Sequence, residues 1–125
     1  MAKTEESKLE QEVEKFMREK RVWQLVRFQA QYNQNGLPDR LYLYKGLLLG
    51  LELKTDKGVP TTLQLRKLKE INNNGGLGLI IRSVDDVKKL TEIIDRINLS
   101  FSYYLPESRS YAILQEWLKY EESKN

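Results

Sequence analysis

The sequence predicts an α/β protein, a mixed β-sheet flanked by helices in the order α-β-β-β-α-β-α-α. Three observations carry this. Residues 40–44 (RLYLY) and 47–54 (LLLGLELK) are apolar, strand-like runs on either side of Lys45-Gly46, which suggests an antiparallel hairpin. Residues 77–82 (LGLIIR) form another buried strand, separated from the hairpin by a helical pattern, so it should lie parallel to 47–54 after a right-handed crossover. The remaining long segments space their apolar residues at helical period. At 125 residues and 14.8 kDa the chain has room for one domain around one core.

The elements follow in order. Leu9, Val13, Phe16 and Met17 recur among charged residues and describe an amphipathic first helix from about Leu9 to Lys20, with residues 1–7 frayed. VWQLVRFQA (22–30) mixes aromatic and β-branched residues as a strand does, and QYNQNGLP has loop composition. Within the hairpin, lysine is a poor first residue for the commonest two-residue turn. TTLQLRKLKEINNNGG begins a helix at Thr61 or Thr62, puts Leu65, Leu68 and Ile71 on one face, and stops at Asn and Gly. SVDDVKKLTEIIDRI opens with a cap-like Ser83 and continues with Val84, Val87, Leu90, Ile94 and Ile97. A last helix follows Pro106 and carries Tyr111, Leu114, Trp117 and Leu118. We expect a core over residues 1–98 and a C-terminal helical extension over 99–125 of the same domain.

Composition narrows the chemistry. With no cysteine and no histidine there is no disulfide, thiolate zinc site, cysteine nucleophile or imidazole base, so any reaction must use carboxylates, lysine, hydroxyls or a hard metal ion. A net charge of +3 permits a polyanionic partner without requiring one. The N-terminal stretch has no apolar secretory core and no run is long enough to span a bilayer, so we expect a cytoplasmic protein with no membrane partner.

The hairpin raises a question of charge. Turning about Lys45-Gly46 sets Tyr44 opposite Leu47 and, counting back, Asp39 opposite Glu52. Opposed residues share a face with β-carbons roughly 4.5 to 5.5 Å apart, where like charges destabilise. Lys54 points to that face as well, because strand side chains alternate. Read as a surface feature, this is a hairpin end whose charges reach solvent, with Lys54 neutralising an acid pair. Read as a site, two carboxylates converge to hold Mg²⁺, a hard ion that prefers carboxylate, water and phosphate oxygens.

GLPD, the hairpin, ELK and a following helix that opens with Gln64 together resemble the PD-(D/E)xK nuclease superfamily, and within it the stand-alone VRR-NUC domains of bacteria and their phages. The resemblance runs from about Leu9 to Leu90. It implies a restriction-endonuclease-like α-β-β-β-α-β core. It further implies that Asp39, Glu52 and the backbone carbonyl of Leu53 hold Mg²⁺, with Mn²⁺ able to substitute, and that Lys54 orients or deprotonates the attacking water. An acid from the first helix completes such sites; Glu10 fits best and Glu12 is the alternative, and both also read as solvated helix charges. Gln64 joins the site by the same resemblance, although Thr61-Thr62-Leu63-Gln64 equally fits a capping box. Arg27 stands where the family often has lysine and reads as a phosphate contact or a solvent-facing strand residue.

Arg40, Lys57, Arg66 and Lys69 would track a nucleic-acid backbone through its phosphates. The function so implied is a Mg²⁺-dependent endonuclease on DNA, selective for branched forms such as Holliday junctions, acting in repair or recombination as a homodimer in a bacterial or phage-infected cell. The competing readings are a catalytically silent nucleic-acid clamp of the same fold, a flap or single-strand nicking nuclease, and a structural partner protein working through its aromatic tail.

Overall fold

The structure is a computed structural model that describes residues 4–27, 36–100 and 106–124. Helix α1 spans Glu5–Glu19, earlier than its apolar spacing suggests. Thr4 caps it by accepting from the Ser7 N–H at 3.0 Å, and Glu5 and Glu6 occupy the first turn, where the helix dipole favours acids. Strand β1 (Trp23–Arg27) covers only part of the expected 22–30 run: Val22 precedes it and is buried, and residues 28–30 lie outside the described residues.

Strands β2 (Arg40–Tyr44) and β3 (Leu47–Leu53) form the hairpin in the expected register, from Tyr44 opposite Leu47 to Arg40 opposite Leu51. The turn residues Lys45 and Gly46 have φ of 50° and 81°, the left-handed pair that a two-residue hairpin turn requires. Lysine is tolerated there with its Nζ tied to Asp95 Oδ1 at 2.8 Å.

Helix α2 (Thr62–Asn73) carries the chain to strand β4 (Leu77–Ile81), which lies parallel to β3, and the sheet order is β1-β2-β3-β4. Alternation along β3 divides the molecule into two layers. Leu47, Leu49, Leu51 and Leu53 face a core shared with Val13 and Met17 of α1, with Leu90 and Ile94 of α3 (Val84–Ser100), and with Ile113 and Trp117 of α4 (Pro106–Ser123). The opposite face belongs to α2. There the helix sits directly on the sheet, since a β-carbon on Gly78 would lie 2.4 Å from the Leu68 carbonyl oxygen. At its C-terminal end the Asn72 amide grips β4 twice, accepting from the Gly78 N–H at 2.8 Å and donating to the Gly78 carbonyl at 3.0 Å.

Helix α3 runs continuously through residue 98 to Ser100. In α4, Ile113 and Trp117 are buried, whereas Tyr111 and Leu118 are 65% and 47% exposed, so only one stripe of the helix serves the core. Phe101, Tyr103 and Tyr104 fall outside the described residues. Among the described residues no helix is long and apolar enough to cross a membrane.

Candidate active site

The site forms where the hairpin ladder ends. Asp39 continues the register one step beyond the Arg40–Leu51 pair, opposite Glu52, and its Oδ2 accepts from the Leu53 N–H at 3.2 Å. Glu52 is 1% exposed. Its Oε2 lies 2.9 Å from Gln64 Nε2 and 3.6 Å from Lys54 Nζ, while Oε1 is buried with no hydrogen-bond partner among the described residues. Burial first, and then the neighbouring Asp39 charge, push the Glu52 carboxyl up from 4.5 to about 7, against the opposing pull of Lys54. The structure thus brings Asp39, Glu52, Lys54 and Gln64 together.

The capping-box reading of Gln64 holds, and the same side chain also reaches Glu52. Thr61 and Gln64 form a complete capping box, with Thr61 Oγ1 accepting from the Gln64 N–H and Gln64 Oε1 accepting from the Thr61 N–H. The remaining end of the same amide donates to Glu52.

Arg40 stands elsewhere than its expected position on a phosphate. It pairs with Leu51, so it points to the α1 face of the sheet, where it is 2% exposed. Its Nε and Nη2 both bond Glu14 Oε1, at 3.1 and 2.8 Å, and Nη1 donates to the Asp39 carbonyl at 3.1 Å. Glu10, expected as the third metal carboxylate, lies 3.7 Å from Arg40 Nη2 on that same face. Glu12 is exposed and lines a hollow with Thr55, Asp56 and Arg82. Among the described residues no three His, Cys, Asp or Glu side chains converge as a metal cage. Alternation is the physical reason: Asp39 and Arg40 are chain neighbours and must face opposite layers.

Lys57 lies exposed in the turn after β3, and Arg66 and Lys69 are exposed on α2. The backbone of Arg27 pairs with that of Arg40 at the end of the β1–β2 ladder. Nothing in the sequence singles out Arg82, yet its Nη1 donates to the carbonyls of Thr55 and Gly58 at 2.7 and 2.9 Å, beside Lys54. The available signal is the parallel pairing of Leu53 with Ile81, which makes residue 82 the neighbour of residue 54.

The α-β-β-β-α-β order and the mixed four-stranded sheet are those of the restriction-endonuclease-like fold that the sequence predicts. A solved structure described as a VRR_NUC domain superposes over 72% of this chain and 97% of its own, with a TM-score of 0.59 and 20% sequence identity. The chain therefore has the fold of that VRR_NUC domain. No family model and no curated protein matches the sequence.

Proposed function

We propose that this protein is a metal-dependent endonuclease that hydrolyses DNA phosphodiester bonds. The observation that carries the reading is Glu52, a buried carboxylate set against a second one, with an oxygen that no donor among the described residues satisfies. A buried acid held against a second acid is costly unless a cation shares them. Asp39, Glu52 and the Leu53 carbonyl would hold Mg²⁺, or Mn²⁺ in its place. When bound, such an ion supplies Lewis-acid stabilisation of charge on the phosphoryl and leaving oxygens.

The chain's own residues do the rest. Lys54 Nζ, 3.6 Å from Glu52 Oε2, orients the attacking water and offsets charge on the scissile phosphate. Gln64 holds the Glu52 carboxylate in one orientation. Exposed Lys57, Arg66 and Lys69 bind the nucleic-acid backbone without reading bases. The resemblance to stand-alone VRR-NUC domains supports a branched substrate such as a four-way junction, cut by a homodimer with one site per strand.

The test is Mg²⁺-dependent cleavage of junction, flap and linear duplex DNA by the wild type and by Glu52→Gln and Asp39→Asn. We expect junction cutting by the wild type and a loss of at least about a hundredfold in each variant, both still folded. Equal cleavage by the variants would sink the assigned site. Wild-type protein that binds DNA but never cuts it would make this chain a clamp of the same fold.

A further inference from the structure

We propose that Arg82 is a positioning residue for the nuclease site, acting through the turn at residues 55–58; the inference rests on the function proposed above. The sheet holds the backbone of Lys54 only as far as its N–H, which donates to the Ile81 carbonyl at 3.0 Å. Beyond that point the chain leaves β3 for a turn closed by the Gly58 N–H bonding the Thr55 carbonyl at 3.0 Å. That turn lies along the stem of Lys54, since a β-carbon on Gly58 would come within 3.3 Å of both Lys54 Cβ and Cδ. Where the turn stands therefore decides where Lys54 Nζ stands.

Arg82 fixes the turn. One guanidinium nitrogen bonds the Thr55 and Gly58 carbonyls, at 2.7 and 2.9 Å, which are the first and last residues of the turn. A guanidinium stays charged at any working pH and presents its donors in a fixed plane, so the clasp is a rigid one. Its own position is set in turn by the protein: the Arg82 N–H donates to Asp86 Oδ2 at 2.8 Å. Asp86 is 1% exposed and its Oδ1 accepts from Tyr120 Oη at 2.7 Å and Lys124 Nζ at 3.0 Å. The end of α4 is thereby connected through Asp86 and Arg82 to the stem of Lys54.

The experiment compares Arg82→Ala and Arg82→Lys with the wild type in the full chain. For Arg82→Ala we expect kcat for DNA cleavage to fall about ten- to hundredfold, the loss that a small misplacement of an aligned group produces. KM and the Mg²⁺ dissociation constant, measured by calorimetry with Mg²⁺ alone, should change less than about twofold, because neither DNA nor metal touches Arg82 in this scheme. Arg82→Lys, whose ammonium can retain a carbonyl contact and the charge, should recover part of kcat. The Gly58 amide should exchange at least about tenfold faster in Arg82→Ala while β3 amides keep their protection.

An unchanged kcat overturns the proposal. So does a loss confined to KM, which would make Arg82 a phosphate contact, or a parallel loss of β3 protection, which would make it a general strut. If the wild type does not cleave DNA at all, the nuclease reading fails. Gly58 exchange then decides separately whether Arg82 holds the turn, and no acceleration would overturn that part.

Discussion

Gln64 Nε2 donates to Glu52 Oε2 at 2.9 Å while Gln64 Oε1 accepts from the Thr61 N–H at 2.8 Å. The capping bond fixes which end of the amide faces the site: the oxygen is engaged at the helix start, so the nitrogen is left for the carboxylate. Helix capping and site geometry are two uses of one side chain.

The two uses are separable by mutation. Thr61→Ala removes only the bond from the Gln64 N–H to the hydroxyl and should cost about 1 kcal/mol of stability with little change in kcat. Gln64→Ala should cost a similar amount and also lower kcat by roughly tenfold, because Glu52 loses its neutral donor. Thermal unfolding and single-turnover cleavage of the two variants check this.

The raised Glu52 carboxyl makes the metal-free protein sensitive to pH. Between 4.5, its ordinary value, and about 7 in the folded state, the folded protein keeps a proton that the unfolded chain has released. The stabilisation is complete below the lower value and is lost as pH rises through the upper one. Asp95, held down at about 2 by Lys45, Tyr44 and Lys20 despite its partial burial, acts in the opposite sense and only at more acid pH. Urea unfolding in a chelator should therefore show stability falling by roughly 2 to 3 kcal/mol from pH 5 to pH 8. Glu52→Gln should flatten that slope.

Lys54→Met keeps the length and apolar stem of the side chain and deletes its charge. The loss removes the positive charge that lowers the Glu52 carboxyl, so that carboxyl should titrate still higher in the variant. Cleavage at neutral pH should fall about a hundredfold or more. Carboxyl titration by NMR and the pH profile of cleavage read the two effects independently.

Arg40 and the exposed basic residues should behave in opposite ways. Arg40→Ala removes a buried guanidinium that bonds Glu14 and the Asp39 carbonyl, and should destabilise by about 1.5 to 3 kcal/mol. Lys57→Ala and Arg66→Ala should leave stability within about 0.5 kcal/mol of wild type. Each should instead weaken DNA binding and reduce the slope of log affinity against log salt by about 1. Chemical denaturation and binding across a salt series separate the two classes.

The hairpin and its acid pair were legible because a two-residue turn fixes register, and register fixes which residues share a face. Those same rules, carried one residue further, send Arg40 to the face opposite Asp39. What they do not give is its partners, since Glu10 and Glu14 reach it from α1 only once the helix has docked. The early start of α1 was hidden because residues 5–8 add no apolar residue to the stripe, and the cap at Thr4 sets the boundary instead. Arg82 was hidden for a related reason: its partners are backbone carbonyls of a turn, which no side-chain pattern records.

The grip of Asn72 on Gly78 bears on how copies of this chain can associate. β4 is an outer strand of the sheet, and its outward-facing N–H and carbonyl at Gly78 are the groups that an incoming strand would need. The Asn72 amide already occupies both, as a one-residue imitation of a neighbouring strand. A fifth strand could join there only by displacing two bonds made within the same chain, at no local concentration cost to the incumbent. Growth of the sheet from one molecule into the next is therefore blocked at this point, and a pair of copies must meet through side-chain surfaces or at another edge.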